Sequence, residues 1–393
     1  MSLGKILIID DSILVRNYLS KTIDNISELT VVGMAHNGEI GFQQILSTKP
    51  DVVILDLEMN NGDGLYVLQN IEEQLSFEDK PFVIIHSTHV RYDNPIFKKA
   101  IDFGFCDFVL KTEGSAETII PNVTKIIIPK IISGIVAKKN RRLLTNSLSS
   151  TPISNHISST PQTISNLSLS ITQVNTPTGL SNLNSILTKK DIKPKLLILG
   201  ASTGGPQVIR SILKYIDNSI SIPIVIIQHM PEKFTKSFAL ELNSVSQIPV
   251  HELRHNISLD KGHAYVFPGG LHGRLNSFGN LYVYYTDRNN YESHPFKPSI
   301  NLAIEHLLHS FHGHVIGAIL SGMGSDGALG MKKLHSKGSL IFAQDKTSSA
   351  VWGMPGSTVN QDAVDLILSQ EDLGKGILQA LIHYGVHSGG SNG

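Results

Sequence analysis

Only one cysteine occurs in the chain, Cys106, so neither an intramolecular disulfide nor a cysteine-rich zinc site can form. Its apolar setting, "DFGFCDFVL", marks a buried and inert thiol. Neither sign of charge is in excess: lysine plus arginine and aspartate plus glutamate number 33 each. That balance excludes an overall basic field for nucleic acid or anionic lipid, and the C-terminal half has no basic recognition helix. Long apolar runs are missing as well. The most apolar later stretch, "TKIIIPKIISGIVAKK", is broken by Pro129 and Lys130 and is too short to span a bilayer. The opening "MSLGKILIIDDS" meets carboxylates too early for a secretory signal. The expectation is a cytoplasmic protein with no membrane insertion and no nucleic-acid partner.

What is present is enough apolar material, 41% of 393 residues, for two or three domains with real cores. Between about Leu143 and Lys190 the composition turns to Ser, Thr, Asn and Pro, as in "SNHISSTPQTISN", and lacks the periodic apolar surface that folding needs. This reads as a flexible linker. On either side, short apolar runs alternate with amphipathic stretches, which predicts two α/β domains, each a doubly wound parallel sheet. The segment "GRLNSFGNLYVYY" reads as a β-hairpin added to the second sheet, with Gly279 and Asn280 at its turn.

The first half offers five strands, "KILIID", "TVVGMA", "DVVILD", "PFVIIHS" and "DFVLK". Functional groups in open parallel sheets gather at the carboxyl ends of strands. Those ends carry Asp10 and Asp11, then Asp56, then Ser87 or Thr88, then Lys111. Converging carboxylates need a cation, and hard oxygen donors suit Mg²⁺; a lysine beside them balances a further anion. The set is suited to an aspartate that accepts a phosphoryl group.

In the second half "GASTG", Gly200 to Gly204, fits a nucleophile turn, a phosphate-cradling loop or a plain structural turn. Two later strands decide among them. One runs into His229 in "IVIIQHMP", the other into "SGMGSDG" and Asp326. Ser202, His229 and Asp326 thus each follow a strand end, as acyl transfer needs: a nucleophile, a base, and a carboxylate that fixes the base's tautomer. The glycines around Met323 allow amides to turn towards an oxyanion.

Residues 1 to 125 resemble a response-regulator receiver domain. The resemblance implies Asp56 as phosphoacceptor and Mg²⁺ held by Asp11, Asp56 and the carbonyl of Glu58, with Asp10 in support. It also implies Lys111 as phosphate partner and Phe108 as the switch aromatic. Asn60 and Thr112 stand where prolines are usual. His86 falls at the usual hydroxyl position, and a shift of one residue would make Ser87 the phosphate-coordinating group. Residues 193 to 385 resemble the catalytic domain of chemotaxis protein-glutamate methylesterases, through "GASTGGP", "QHMPEKFT", "GHAYVFPGGLH", "FKPSIN", "SGMGSDGALG" and "AQDKTSSAVWGMPGS". Residues 126 to 192 are then a helical extension and linker. The second resemblance implies Ser202 as nucleophile, His229 as base, Asp326 as its partner and the Met323 amide as oxyanion donor. It implies hydrolysis of glutamate methyl esters on chemoreceptor helices with release of methanol, deamidation of receptor glutamines, no cofactor for the esterase, and activation through Asp56 by the chemotaxis histidine kinase.

Two rival readings have their own signals. "HELRH", His251 to His255, has the spacing of a zinc protease's helix, but Pro249 and "NISLDKGH" leave little room for that helix and no third ligand follows. A nucleotide-binding module would use "GASTGG" for phosphate, yet it gives His229 and Asp326 no role. His306, His309, His312 and His314 read as surface histidines, Ser299 as a helix N-cap, and Trp352 as packing.

Overall fold

The computed structural model describes residues 4–59, 63–88, 95–111, 123–149, 176–253, 257–278, 280–285, 296–311 and 313–388. Asn60, Thr112, His255, Gly279, His312 and residues 150–175 lie outside these.

The first domain is a parallel sheet in the order β2-β1-β3-β4-β5, built from β1 (Gly4–Ile9), β2 (Leu29–Ala35), β3 (Val52–Leu55), β4 (Phe82–Ser87) and β5 (Cys106–Leu110). The strands read as near-continuous apolar runs because helices cover both faces. These are α1 (Ile13–Asp24), α2 (Gly38–Thr48), α3 (Asp63–Gln74) and α4 (Pro95–Phe103). Ser12 and Asn37 cap α1 and α2 through their side chains. A π-helical turn (Val123–Ile127) leads into the long α5 (Ile128–Ser149). Pro129 stands one residue inside α5, directly after the π-helical turn, where the change of hydrogen-bond register accommodates its missing N–H. The apolar run around it lies against the first domain: Ile131 is fully buried, and the buried Lys138 donates to the carbonyls of Pro50 (2.6 Å) and Asp79 (3.4 Å).

The second domain is a seven-stranded parallel sheet in the order β14-β13-β12-β6-β7-β9-β8. Its strands are β6 (Leu196–Ala201), β7 (Ile224–Gln228), β8 (Val250–Glu252), β9 (Ala264–Val266), β12 (Val315–Ile319), β13 (Leu340–Gln344) and β14 (Leu366–Leu368). The chain winds outward from β6 through β7, then returns to place β12 on the other side. The crevice at that reversal, at the strands' carboxyl ends, is where open α/β sheets hold ligands. The hairpin forms, with β10 (Gly273–Phe278) antiparallel to β11 (Asn280–Tyr285), but as a separate two-stranded sheet rather than an addition to the seven. Asn280 already pairs with Phe278, so it belongs to the strand and not to the turn.

Residues 176–192, read from composition as linker, pack on this domain: α6 (Leu183–Leu187) buries Leu183 and Leu187, and Lys190 pairs with Asp365 at 2.8 Å. The remaining helices are α7 (Gly205–Leu213), α8 (Glu232–Val245), α9 (Ile300–Phe311), α10 (Ala328–Ser336), α11 (Gly353–Val359) and α12 (Gln370–His383). Cys106 is buried, and burial with the adjacent Asp107 carboxylate pushes its thiol up, out of reactive range.

The two domains share one apolar core. Phe108 in the middle of β5 and Phe97 of α4 pack on Phe234 of α8, with ring centroids 5.3 and 6.0 Å from that of Phe234. Arg210 of α7 reaches across to Asp102.

Candidate active site

Ser202 sits directly after β6, in a turn completed by Gly204 at φ 78° and by Pro206 in the first turn of α7. Left-handed backbone at Gly204 lets the chain reverse from strand to helix within so few residues. Three bonds anchor the nucleophile's backbone, one of them from Gly205 N–H to its carbonyl (2.9 Å) within the turn. Ser202 N–H donates to Ser321 O (3.0 Å), and the carbonyl also accepts from the buried Gln228 Nε2 (2.8 Å). Gly322, on the facing loop, comes so close that a Cβ there would stand 2.7 Å from Ser202 Cβ.

His229 directly follows β7, the neighbouring strand, and its Nε2 is 2.8 Å from Asp326 Oδ2. The free ring nitrogen is therefore Nδ1, which is buried and makes no hydrogen bond among the described residues. Asp326 is held at the N-terminus of α9: it accepts from Ile300 N (2.7 Å), Asn301 N (3.1 Å) and Ser299 Oγ (3.0 Å). Ser299 also caps α9 by accepting from Leu302 N (3.3 Å). Burial alone would raise Asp326, but the bonds from His229 and these amides outweigh it and hold the carboxyl below its ordinary range. Such a carboxylate fixes the imidazole with Nδ1 as the acceptor for a proton.

Phe296 is a residue that sequence reasoning passed over. Its ring lies parallel to His229, 4.4 Å away with an interplanar angle of 3°. Only the quoted "FKPSIN" placed it nearby, and no periodicity signals a ring stacked across a loop. The backbone N–H groups of Thr203 and Met323 make no intramolecular hydrogen bond among the described residues, which leaves both able to receive an oxyanion.

Ser202, His229 and Met323 line a cavity of about 900 Å³ whose opposite wall is the first domain, with Phe108, Lys111 and Lys130. Ser202 is 6% exposed and His229 8%. Thr203 Oγ1 donates to Asp107 Oδ2 across the boundary at 2.5 Å, and Lys130 pairs with the other oxygen at 2.7 Å.

In the first domain the carboxylate oxygens of Asp10, Asp11 and Asp56 lie within 4.8 Å of one another. Lys111 reaches Asp56 at 2.5 Å and Asp10 at 2.8 Å. Burial raises both aspartates despite that lysine, and the two carboxylates in turn raise Lys111 although burial opposes it. Glu58 N–H donates to Asp56 (2.9 Å), and the Glu58 side chain accepts from Thr88 Oγ1 at 2.5 Å. Only hard oxygen donors are present and Asp11 is exposed, so the set fits a Mg²⁺-type ion with open positions. His86 turns towards this cluster, 4.0 Å from Asp10. Ser87, expected there as a phosphate-coordinating hydroxyl, is the next residue of β4, so strand alternation points it to the other face. Burial and the nearby Lys111 push His86 down to about 3, which keeps the ring neutral.

"HELRH" begins as strand β8, so His251 lies on extended backbone and not on the helix that a zinc protease's histidine pair needs; the second histidine, His255, lies outside the described residues. Glu252 accepts from Thr235 Oγ1 (2.6 Å), and His251 pairs with His263 (3.1 Å). Trp352 packs with its Nε1 donating to Gln344 O at 3.0 Å.

A phosphoacceptor-type cluster on one sheet and a serine–histidine–aspartate set on the other define a receiver-linked α/β hydrolase. The CheB methylesterase profile matches residues 197–377, and the response regulator receiver domain profile matches residues 6–121. The chain is 31% identical to a protein-glutamate methylesterase/protein-glutamine glutaminase of Lawsonia intracellularis, over 96% of this chain and 99% of that one. It is 32% identical to a protein of the same name from Oceanobacillus iheyensis, covering 95% of this chain and 98% of that one. Among solved structures, the catalytic domain of Thermotoga maritima CheB methylesterase is 29% identical, with a TM-score of 0.45, covering 48% of this chain and 99% of that one. The chain belongs to the CheB methylesterase family, with an N-terminal response regulator receiver domain.

Proposed function

We propose that this chain is a phosphorylation-activated enzyme that hydrolyses glutamate methyl esters on the cytoplasmic helices of chemoreceptors, releasing methanol, and deamidates receptor glutamines at the same site. The observation that carries this reading is the 2.8 Å His229–Asp326 bond beside Ser202, in a cavity walled by the receiver. Ser202 Oγ attacks the ester carbonyl while His229 Nδ1 takes its proton, and Asp326 stabilises the imidazolium through Nε2. The amides of Met323 and Thr203 receive the oxyanion. The imidazolium then protonates the departing methoxide oxygen, which leaves as methanol, and water, activated by the same ring, releases the glutamate. An amide follows the same course with ammonia leaving.

In the receiver, the chemotaxis histidine kinase phosphorylates Asp56. Asp11, Asp56 and the Glu58 carbonyl, supported by Asp10, would hold Mg²⁺, which offsets phosphoryl charge when bound. Lys111 leaves its carboxylate partners for the new phosphate. Because Lys111 directly follows the strand that holds Phe108 and both line the cavity, that movement loosens the receiver from Phe234 and opens the route to Ser202. The boundaries that serve this scheme are a receiver to residue 125, a helical extension and linker from 126 to 192, whose two ends pack on the domains they join, and a catalytic domain from 193 to 385. Among the described residues no helix is long and apolar enough to cross a membrane, in keeping with action in the cytoplasm on receptor tails. Methanol release from methylated receptor fragments, measured with and without a small phosphodonor, tests the reading: activation in the wild type and its loss in Asp56→Ala are expected, and equal activation of both would refute the regulation.

A further inference from the structure

Among the described residues, the catalytic cavity is lined by five lysines, Lys111, Lys125, Lys130, Lys233 and Lys297, against a single carboxylate, Glu232. Two are neutralised within the receiver, Lys111 by Asp10 and Asp56 and Lys130 by Asp107. The catalytic domain's own two are not: among the described residues no carboxylate comes within ion-pair distance of Lys233 or Lys297. In a chain with equal numbers of acids and bases, unmatched cations on one wall of one cleft are a local departure from the overall balance.

Their positions are not explained by stability. Lys233 lies in the first turn of α8, where the helix dipole disfavours a cation. Among the described residues its ammonium reaches only a carbonyl, Thr88 O of the receiver, at 3.3 Å. Lys297 is half-buried, follows the Phe296 that stacks on His229, and has its backbone fixed by Gly270 N–H donating to its carbonyl at 3.1 Å. Charges that break a local rule beside a nucleophile are the expected mark of a binding surface.

We propose that Lys233 and Lys297 form an anion-selective flank of the active site, which takes an acidic peptide segment carrying free carboxylates beside the esterified glutamate. The inference rests on the methylesterase reading and names its substrate class. Opening of the receiver frees Lys233 from Thr88, so the same movement exposes the nucleophile and one of its docking cations. One consequence follows from the reaction's balance: ester plus water gives methanol, a carboxylate and a proton, so each turnover makes the segment more acidic. Hydrolysis at one position therefore favours hydrolysis at its neighbours.

The test compares two peptides, one with a glutamyl methyl ester flanked by glutamates and one with the same ester flanked by glutamines. The full chain is used with Mg²⁺ and a small phosphodonor. The wild type should favour the acidic peptide by about tenfold in kcat/KM at low salt, with the ratio shrinking towards one as salt screens the cleft. Lys233→Glu/Lys297→Glu should bring the ratio to one or below. Lys193→Glu/Lys195→Glu makes the same change of charge at the opposite end of β6 and should keep the preference. A ratio near one in the wild type, or one unchanged in Lys233→Glu/Lys297→Glu, overturns the proposal. Because each ratio is taken within one variant, a general loss of folding does not alter it. If the wild type hydrolyses neither peptide, the methylesterase reading itself has failed.

Discussion

Thr203, the residue after the nucleophile, donates its hydroxyl proton to Asp107, the residue before the receiver's Phe108. One hydrogen bond thus links the nucleophile turn to the strand that leads into the phosphate partner Lys111, although 96 residues separate the two in sequence. Buried polar contacts of this kind specify one docking arrangement, because separating them without new partners costs more than any net gain on forming them.

Asp107→Ala removes the acceptor for both Thr203 and Lys130. Basal methanol release should rise several-fold and activation by a phosphodonor should shrink correspondingly. A variant with wild-type basal rate and full activation would show that this contact does not hold the receiver closed.

Asp326→Asn keeps the shape of the site but cannot stabilise an imidazolium or enforce Nδ1 as the base. The rate should fall by about 10³ to 10⁴. Phosphorylation of Asp56 on the other domain should proceed normally, which separates a catalytic loss from unfolding.

Gly322→Ala places a methyl 2.7 Å from Ser202 Cβ and 2.3 Å from Met354 Sδ. Overpacking of this kind costs about 1–3 kcal/mol, and a small shift of the nucleophile costs about 10² in rate. A variant with unchanged kcat would mean that the loop relaxes without moving Ser202.

Lys138 stands at about 8, lowered from its ordinary 10.5 by burial and by neighbouring Arg142. Between those pH values the unfolded chain binds more protons than the folded one, so this group makes stability rise as pH rises from about 8 to 10.5, by at most about 3 kcal/mol. Lys138→Met removes that slope. The stability of wild type minus variant, from denaturant unfolding at several pH values, should climb across the window; a flat difference contradicts the assignment.

The sheets were legible in the sequence because parallel strands covered on both faces read as apolar runs, and because Asp56, Lys111, Ser202 and His229 follow such runs directly. Contacts made across distant segments were not. Nothing local in "DFVL" or "GASTG" marks Asp107 and Thr203 as partners, and nothing in "EKFT" marks Phe234 as the ring on which Phe108 packs. Residues 176–192 resemble the linker in composition, yet Leu183 and Leu187 are enough to seat a single helical turn in a neighbouring groove. "HELRH" misled because its spacing has meaning only on a helix, and the local backbone is a strand.

The most direct test of the central claim is methanol release from methylated receptor fragments by the unphosphorylated full chain in the presence of a metal chelator, with Ser202→Ala in parallel. The serine mechanism predicts that the wild type's basal rate survives the chelator and that the variant releases nothing above background. Loss of the wild-type rate to the chelator, or release by the variant, would contradict it.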